Sequence, residues 1–230
     1  PIKREVKTRH LVFIPTYNEQ DNIGSLVKDL LDTYKDIDVL VVDDGSSDHT
    51  ITELNPFRKN PFRFQLIQKN HRYHLRDSFM LAFDYFNTFY PEHYYDYLIA
   101  LDAGNSLHFG ELYRTLDPEY DLIISYRDYK ALRAQNWWRA ALSRVGTLLF
   151  NLVHLTRFKD TTVGLRAYSR DIVRRVDWSK IHARRFGVQQ DLLSYFRRMR
   201  IKEVPITYKY GTTSLRWNTV LDSLVNMLRK

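Results

Sequence analysis

The run Val39 to Thr50, VLVVDDGSSDHT, sets four apolar residues in unbroken succession against two adjacent carboxylates, a glycine and two serines. Apolar side chains without alternation fit a strand covered on both faces, the environment of a parallel sheet between helical layers. Ligands of such sheets lie beyond the carboxyl ends of the strands, where Asp43, Asp44 and Ser46 fall. A carboxylate there can accept hydrogen bonds from a base N–H or from ribose hydroxyls, or hold a cation. The same residue types also build an ordinary turn in which Asp and Ser cap the next helix. The segment alone leaves both alternatives open.

A matching segment lies upstream, where the short apolar strand His10 to Ile14 runs into PTYNEQDNIGSLVKDLL. Asn18 to Asp21 are placed to start a helix whose apolar stripe is Ile23, Leu26, Val27, Leu30 and Leu31. Strand, polar loop, helix, strand and polar loop make a right-handed βαβ unit, and its two loops face one crevice. Two further buried strands are expected, Tyr97 to Leu101 delivering Asp102, and Tyr120 to Tyr126 leading to Arg127. Arg139 and Ser143 sit at i and i+4 of a predicted helix and share one face.

The pair IPTYNEQDNI and VVDDGSSDHT resembles the start of inverting glycosyltransferase family 2, specifically its dolichyl-phosphate mannose synthase-like branch. LDAGNSLH, SYRDYK, KDTTVGLRAYSR and FGVQQDLLSYFRRMRIKEVPITYKYGTTSL continue the resemblance in order, over roughly residues 10 to 215. It implies an α/β fold of the GT-A, Rossmann-like type, with a mostly parallel central sheet flanked by helices. It also implies a nucleotide-sugar donor held by Pro15, Tyr17, Glu19, Asp43 and Asp44. Relatives carry Asp-Ala-Asp beside a divalent cation, Mg2+ or Mn2+. Here Asp102 is followed by Ala103 and Gly104, so one carboxylate of the metal motif is missing, with Ser106 at a further polar position. Arg127, Arg139, Ser143, Arg166 and Lys209 match the positions expected to hold an acceptor phosphate. The acid usual in the last motif falls on Gln189, and Asp191 is the candidate replacement in a catalytic role beside Asp102.

The chain of 230 residues fits one α/β domain, residues 1–214, followed by an amphipathic helix over residues 215–230. In that helix Trp217, Val220, Leu221, Leu224, Val225 and Leu228 share a face that either packs on the domain or lies in a bilayer interface. Trp137 and Trp138, ahead of the apolar run Val145 to Leu155, form a second candidate membrane contact, with ordinary packing as the alternative. No stretch reaches the roughly 20 apolar residues of a spanning helix and no secretory signal is visible, so the expected location is cytoplasmic, peripheral on a membrane face. The absence of cysteine excludes disulfides. A balance of 35 Lys and Arg against 27 Asp and Glu favours anionic partners. Phosphates, lipid headgroups and nucleic acid all qualify, but no nucleic-acid-binding signature is present. His74 and Arg76 stand where relatives tend to have glycines near the donor, either closing on the diphosphate or exposed on a loop, and His71 with His74 has too few partners for a metal site.

The expected reaction moves a hexose from a nucleotide-sugar, of the GDP-mannose or UDP-glucose type, to a polyprenyl or dolichyl phosphate. Such an acceptor oxygen is anionic near neutral pH and needs cations more than a base. An alcohol acceptor would require a carboxylate base. The alternatives are a transferase acting on a soluble polymer, nucleic acid or saccharide hydroxyl, and a non-catalytic nucleotide-sugar-binding homologue.

Overall fold

Every residue of the strand Ile37–Asp43 (β2) is buried, as its unbroken apolar run requires of a strand with both faces covered. The computed structural model describes residues 9–70, 74–88, 94–103 and 108–207. Strand Arg9–Thr16 (β1) runs parallel to β2, with Val12 opposite Val39 and Thr16 opposite Asp43. Helix Ile23–Thr33 (α1) connects them and buries Ile23, Leu26, Val27 and Leu30. The expected βαβ unit is therefore present, but its helix starts later than Asn18 to Asp21. Asn18, Glu19 and Gln20 are engaged with the neighbouring loop instead, as described below.

The chain continues through helix Thr50–Leu54 (α2), strand Phe64–Gln68 (β3), helix Leu75–Thr88 (α3), strand Tyr95–Ala100 (β4) and helix Phe109–Tyr113 (α4). Strand Leu122–Arg127 (β5) precedes two helices, Tyr129–Gln135 (α5) and Trp137–His154 (α6). Strand Arg166–Ser169 (β6), helix Arg170–Arg174 (α7), helix Gly187–Tyr195 (α8) and strand Ile201–Ile206 (β7) follow among the described residues. The seven strands form one sheet in the order β3-β2-β1-β4-β6-β5-β7. All neighbours are parallel except β6, which is antiparallel to both β4 and β5.

Alternate residues of each strand feed two cores, one on either side of the sheet. Leu11, Phe13, Leu40 and Val42 pack with Phe79 and Phe83 of α3 and with Leu192 of α8. Val12, Ile14, Val39 and Val41 pack with α1, Leu54 and Phe109. This double coverage leaves the carboxyl ends of β1, β2 and β4 as the place where polar residues gather. Gly104, Ser106, Lys209, His71 and the expected helix over residues 215–230 lie outside the described residues. Among the described residues, no helix is long and apolar enough to cross a membrane.

Candidate functional site

Two loops wall the crevice beyond β1 and β2, and they are laced together through their main chains. The Asn18 N–H donates to Ser46 Oγ (2.9 Å) and the Ser47 N–H to Asn18 Oδ1 (2.9 Å). The Glu19 N–H donates to Thr50 Oγ1 (2.8 Å), the His49 N–H to Gln20 Oε1 (3.0 Å) and the Asp44 N–H to Thr16 O (2.8 Å). Asn18 takes a left-handed conformation, φ 55°, which a short amide side chain tolerates. Pro15, Tyr17 and Glu19 are partly exposed along this wall.

The two adjacent carboxylates divide the work. Asp43 is fully buried and accepts the N–H groups of Gly45 (3.1 Å) and Ser46 (3.0 Å) and the Ser46 hydroxyl. It builds the turn, and Gly45 at φ 77° supplies the left-handed position there. Asp44 stays partly exposed and pairs with Lys69 Nζ (2.8 Å), which also donates to Ser78 Oγ (2.9 Å). The turn-former and the partly exposed, lysine-paired carboxylate are thus different residues. Lys69 was missed in the sequence, although it directly follows β3 and the rule that singled out Asp43 and Asp44 reaches it too.

Asp102 follows β4, and its carboxylate lies against Gly164. A Cβ at residue 164 would meet Asp102 Oδ2 at 2.2 Å, Cγ at 2.8 Å and Oδ1 at 2.9 Å. Two residues on, Arg166 is 1% exposed. Its Nε donates to Val163 O (3.1 Å), and its terminal nitrogens donate to Thr161 O (2.8 Å) and Gln189 O. Burial pushes the Tyr168 hydroxyl pKa up, with Asp102 adding to the shift and Arg166 opposing it. The charges of Asp102 and Arg166 therefore share one electrostatic neighbourhood with Tyr168.

These contacts correct several expectations. Arg166 joins three main-chain carbonyls and holds the turn before β6 against α8, so its buried guanidinium serves the fold at this point. Arg127 is likewise buried, with Nε donating to Asp160 Oδ2 (2.7 Å) and a terminal nitrogen to Asp160 Oδ1 (3.2 Å) and Thr162 Oγ1 (2.5 Å). Bidentate pairing with a buried carboxylate neutralises it in place. Asp191 does not stand in for the acid missing at Gln189: its Oδ2 accepts the N–H groups of His182 (2.9 Å) and Ala183 (2.8 Å), clasping the loop before α8. Burial pushes the Asp191 carboxyl pKa up against those bonds. Gln189 itself is buried. Arg76 reaches away from the donor loops, to Ile181 O (2.9 Å) and Trp178 O (2.6 Å).

Arg139 and Ser143 do share a partly exposed face of α6. Asn136 caps that helix, its Oδ1 accepting the Arg139 N–H (3.3 Å), and the Arg139 guanidinium lies 5.4 Å from the Trp138 ring centroid. The inward side buries Ala140, Thr147 and Phe150. The outward side is apolar as well: Trp137, Val145, Leu148, Leu149 and Leu152 are exposed, Leu152 at 72%. Among the described residues no group of three His, Cys, Asp or Glu side chains is arranged to hold a metal ion. The Asp102 carboxylate, seated in a cradle that a Cβ would fill, offers oxygen of the kind a hard cation takes as ligand.

Residues 11–177 match the model of a family described as glycosyl transferase family 2. The chain is 30% identical over 230 residues to an undecaprenyl-phosphate mannosyltransferase of Micrococcus luteus, covering 96% of this chain and 93% of that protein. It is 30% identical over 227 residues to a polyprenol monophosphomannose synthase of Mycolicibacterium smegmatis, covering 94% and 84%. Its fold resembles that of glucosyl-3-phosphoglycerate synthase from Mycobacterium tuberculosis, solved with Mn2+, UDP-glucose and phosphoglyceric acid. That likeness has a TM-score of 0.67 at 15% identity, over 96% of this chain and 79% of the other.

Proposed function

This chain belongs to glycosyl transferase family 2, and on that premise we propose that it transfers a hexose from a nucleotide-sugar to the phosphate of a polyprenyl lipid, with inversion at the anomeric carbon. The observation that carries the acceptor assignment is α6. One helix bears Arg139 and Ser143 on one flank and an exposed apolar face on its outward side. A helix apolar on both faces suits burial or contact with lipid, and an acceptor with a phosphate head and an isoprenoid tail needs both surfaces together. The two relatives named for polyprenyl acceptors and for mannose support the same choice.

Pro15, Tyr17, Glu19 and Asp44 hold the donor nucleotide, in a loop whose shape Asp43 sets. Arg139 and Ser143, with Lys209, hold the acceptor phosphate through charge-assisted bonds. An acceptor oxygen attacks the anomeric carbon, and the bond to the donor diphosphate breaks with its electron pair leaving on the nucleoside diphosphate. The attacking oxygen is already anionic, so the site needs no general base; a buried amide at Gln189 and a main-chain clasp at Asp191 are compatible with that. Mg2+ or Mn2+, when bound, would neutralise charge on the departing diphosphate, with Asp102 as its protein ligand. The protein then works peripherally at a cytoplasmic membrane face, α6 outward to the bilayer.

Thermal shift with GDP-mannose, UDP-glucose and UDP-GlcNAc, each with and without Mg2+ or Mn2+, tests the donor, because a ligand of the folded state must raise its stability. One donor is expected to shift the melting temperature; none doing so would overturn the assignment. Arg139→Ala is expected to lower transfer to polyprenyl phosphate by about 10- to 100-fold, the worth of one hydrogen bond to a charged group. The donor-induced shift should survive. Unchanged transfer would remove Arg139 from the acceptor site.

A further inference from the structure

A cavity of about 580 Å3 opens on the flank of α6 that faces β5 and β7, lined by Lys130, Arg144, Leu148 and Lys159 together with the rings of Tyr126 and Tyr129. Lys159 Nζ lies 4.3 Å from the Tyr126 ring centroid, and the Arg144 guanidinium lies 5.8 Å from that of Tyr129. Among the described residues none of these three cations forms an ion pair with a carboxylate. Arg127 also lines the cavity but is neutralised by Asp160, and Asp128 is tied to the start of α5, its Oδ1 accepting the Lys130 N–H (2.9 Å). Net positive charge on aromatic walls is a setting for a phosphate-bearing group. One wall decides which kind. Leu148 belongs both to the cavity and to the exposed apolar face of α6, next to Leu152 one turn on.

We propose that this cavity seats the phosphate headgroup of an anionic bilayer lipid, separate from the acceptor phosphate held by Arg139 and Ser143, with the acyl chain running over Leu148 and Leu152. Charge complementarity selects the head, and continuity with the apolar face selects an amphiphile over a free anion. The seat would hold α6 at the level of the headgroups, the depth at which a polyprenyl phosphate presents its own phosphate. This rests on α6 facing the bilayer, and the test separates the two claims.

Flotation with vesicles of phosphatidylcholine alone and of phosphatidylcholine with phosphatidylglycerol, lacking any polyprenyl phosphate, is run on the full chain and on a K130Q/R144Q/K159Q variant. The wild type is expected to prefer the anionic vesicles, and neutralising three surface cations should weaken that partitioning on the order of 10²-fold. Inorganic phosphate at constant ionic strength should not compete. A second variant, Leu148→Ser with Leu152→Ser, should lose binding to both vesicle types. The triple variant should keep its melting temperature and its transfer to a short, water-soluble prenyl phosphate. Equal binding of wild type and triple variant to anionic vesicles would overturn the seat while leaving α6 as a membrane face; no vesicle binding by the wild type would overturn both. Loss of transfer to the soluble acceptor would reassign the cavity to the acceptor. Competition by inorganic phosphate would reassign it to a free anion, and cation-dependent self-association to a second copy of the chain.

Discussion

Gly164 has no need of a special backbone conformation, since its φ is not among the positive values found in the described chain. What it supplies is room: the Asp102 carboxylate occupies the volume that a Cβ would fill. Gly164→Ala should push that carboxylate off its seat, and misplacement by about 1 Å can cost on the order of 10²-fold in rate. Steady-state kinetics should show the fall in kcat and a higher divalent-ion requirement, beside a melting temperature lowered by the overpacking. An alanine variant with unchanged kcat would show that Asp102 does not depend on this contact. At this scale the sequence was most ambiguous. Asp43, Asp44, Arg127, Arg139 and Arg166 were all legible as motif positions, but their division into turn-former, lysine-paired acid, buried pair, partly exposed cation and main-chain staple depends on partners that only folding supplies.

The element that matters most is α6. Its Arg139 and Ser143 spacing and its apolar run were readable from helical periodicity, because both are local properties of one segment. Which apolar residues turn inward was not readable, since a helix apolar on two sides shows no single stripe. The cap is specific: Asn136 Oδ1 accepts the Arg139 N–H at 3.3 Å. Asn136→Ala should cost about 1 kcal/mol of stability, the usual worth of an N-cap, visible as a lower urea midpoint with an unchanged slope. Because the capped residue is Arg139, acceptor KM should rise more than donor KM. An unaltered midpoint would mean that the end of α5 holds this turn without the cap. The start of α1 makes the opposite case. Asn18 to Asp21 carry good capping chemistry, yet the helix begins at Ile23 because Asn18, Glu19 and Gln20 bond across to the neighbouring loop.

For the molecule as a whole, the crevice beyond β1 and β2 is stabilised by bonds between loops that are far apart in the chain, and one of its clasps titrates. Burial would raise the Asp48 pKa, but bonds from the Thr50 hydroxyl and the Thr50 and Gln20 N–H groups outweigh it and hold the carboxyl below its ordinary value. A carboxyl with a depressed folded-state pKa contributes stability above the unfolded value, near 4, and loses it as pH falls through the folded value. The melting temperature should therefore drop below about pH 4, and Asp48→Asn should flatten that acid limb while lowering stability at neutral pH. Parallel acid limbs in the two proteins would assign the loss to other carboxylates.

What the sequence determined by itself was everything carried by local pattern. Unbroken apolar runs marked strands buried on both faces, polar residues after them marked the carboxyl-end crevice, and ordered motifs identified the family. These signals survive in one dimension because each is contained within a short stretch of chain. The tertiary structure alone decided which charges are available. Arg127 meets Asp160 across 33 positions, Asp44 meets Lys69, and Arg166 meets the carbonyl of Gln189. A guanidinium or carboxylate is a ligand or a strut according to what already occupies its hydrogen-bonding directions, and those occupants come from distant segments brought together by the sheet.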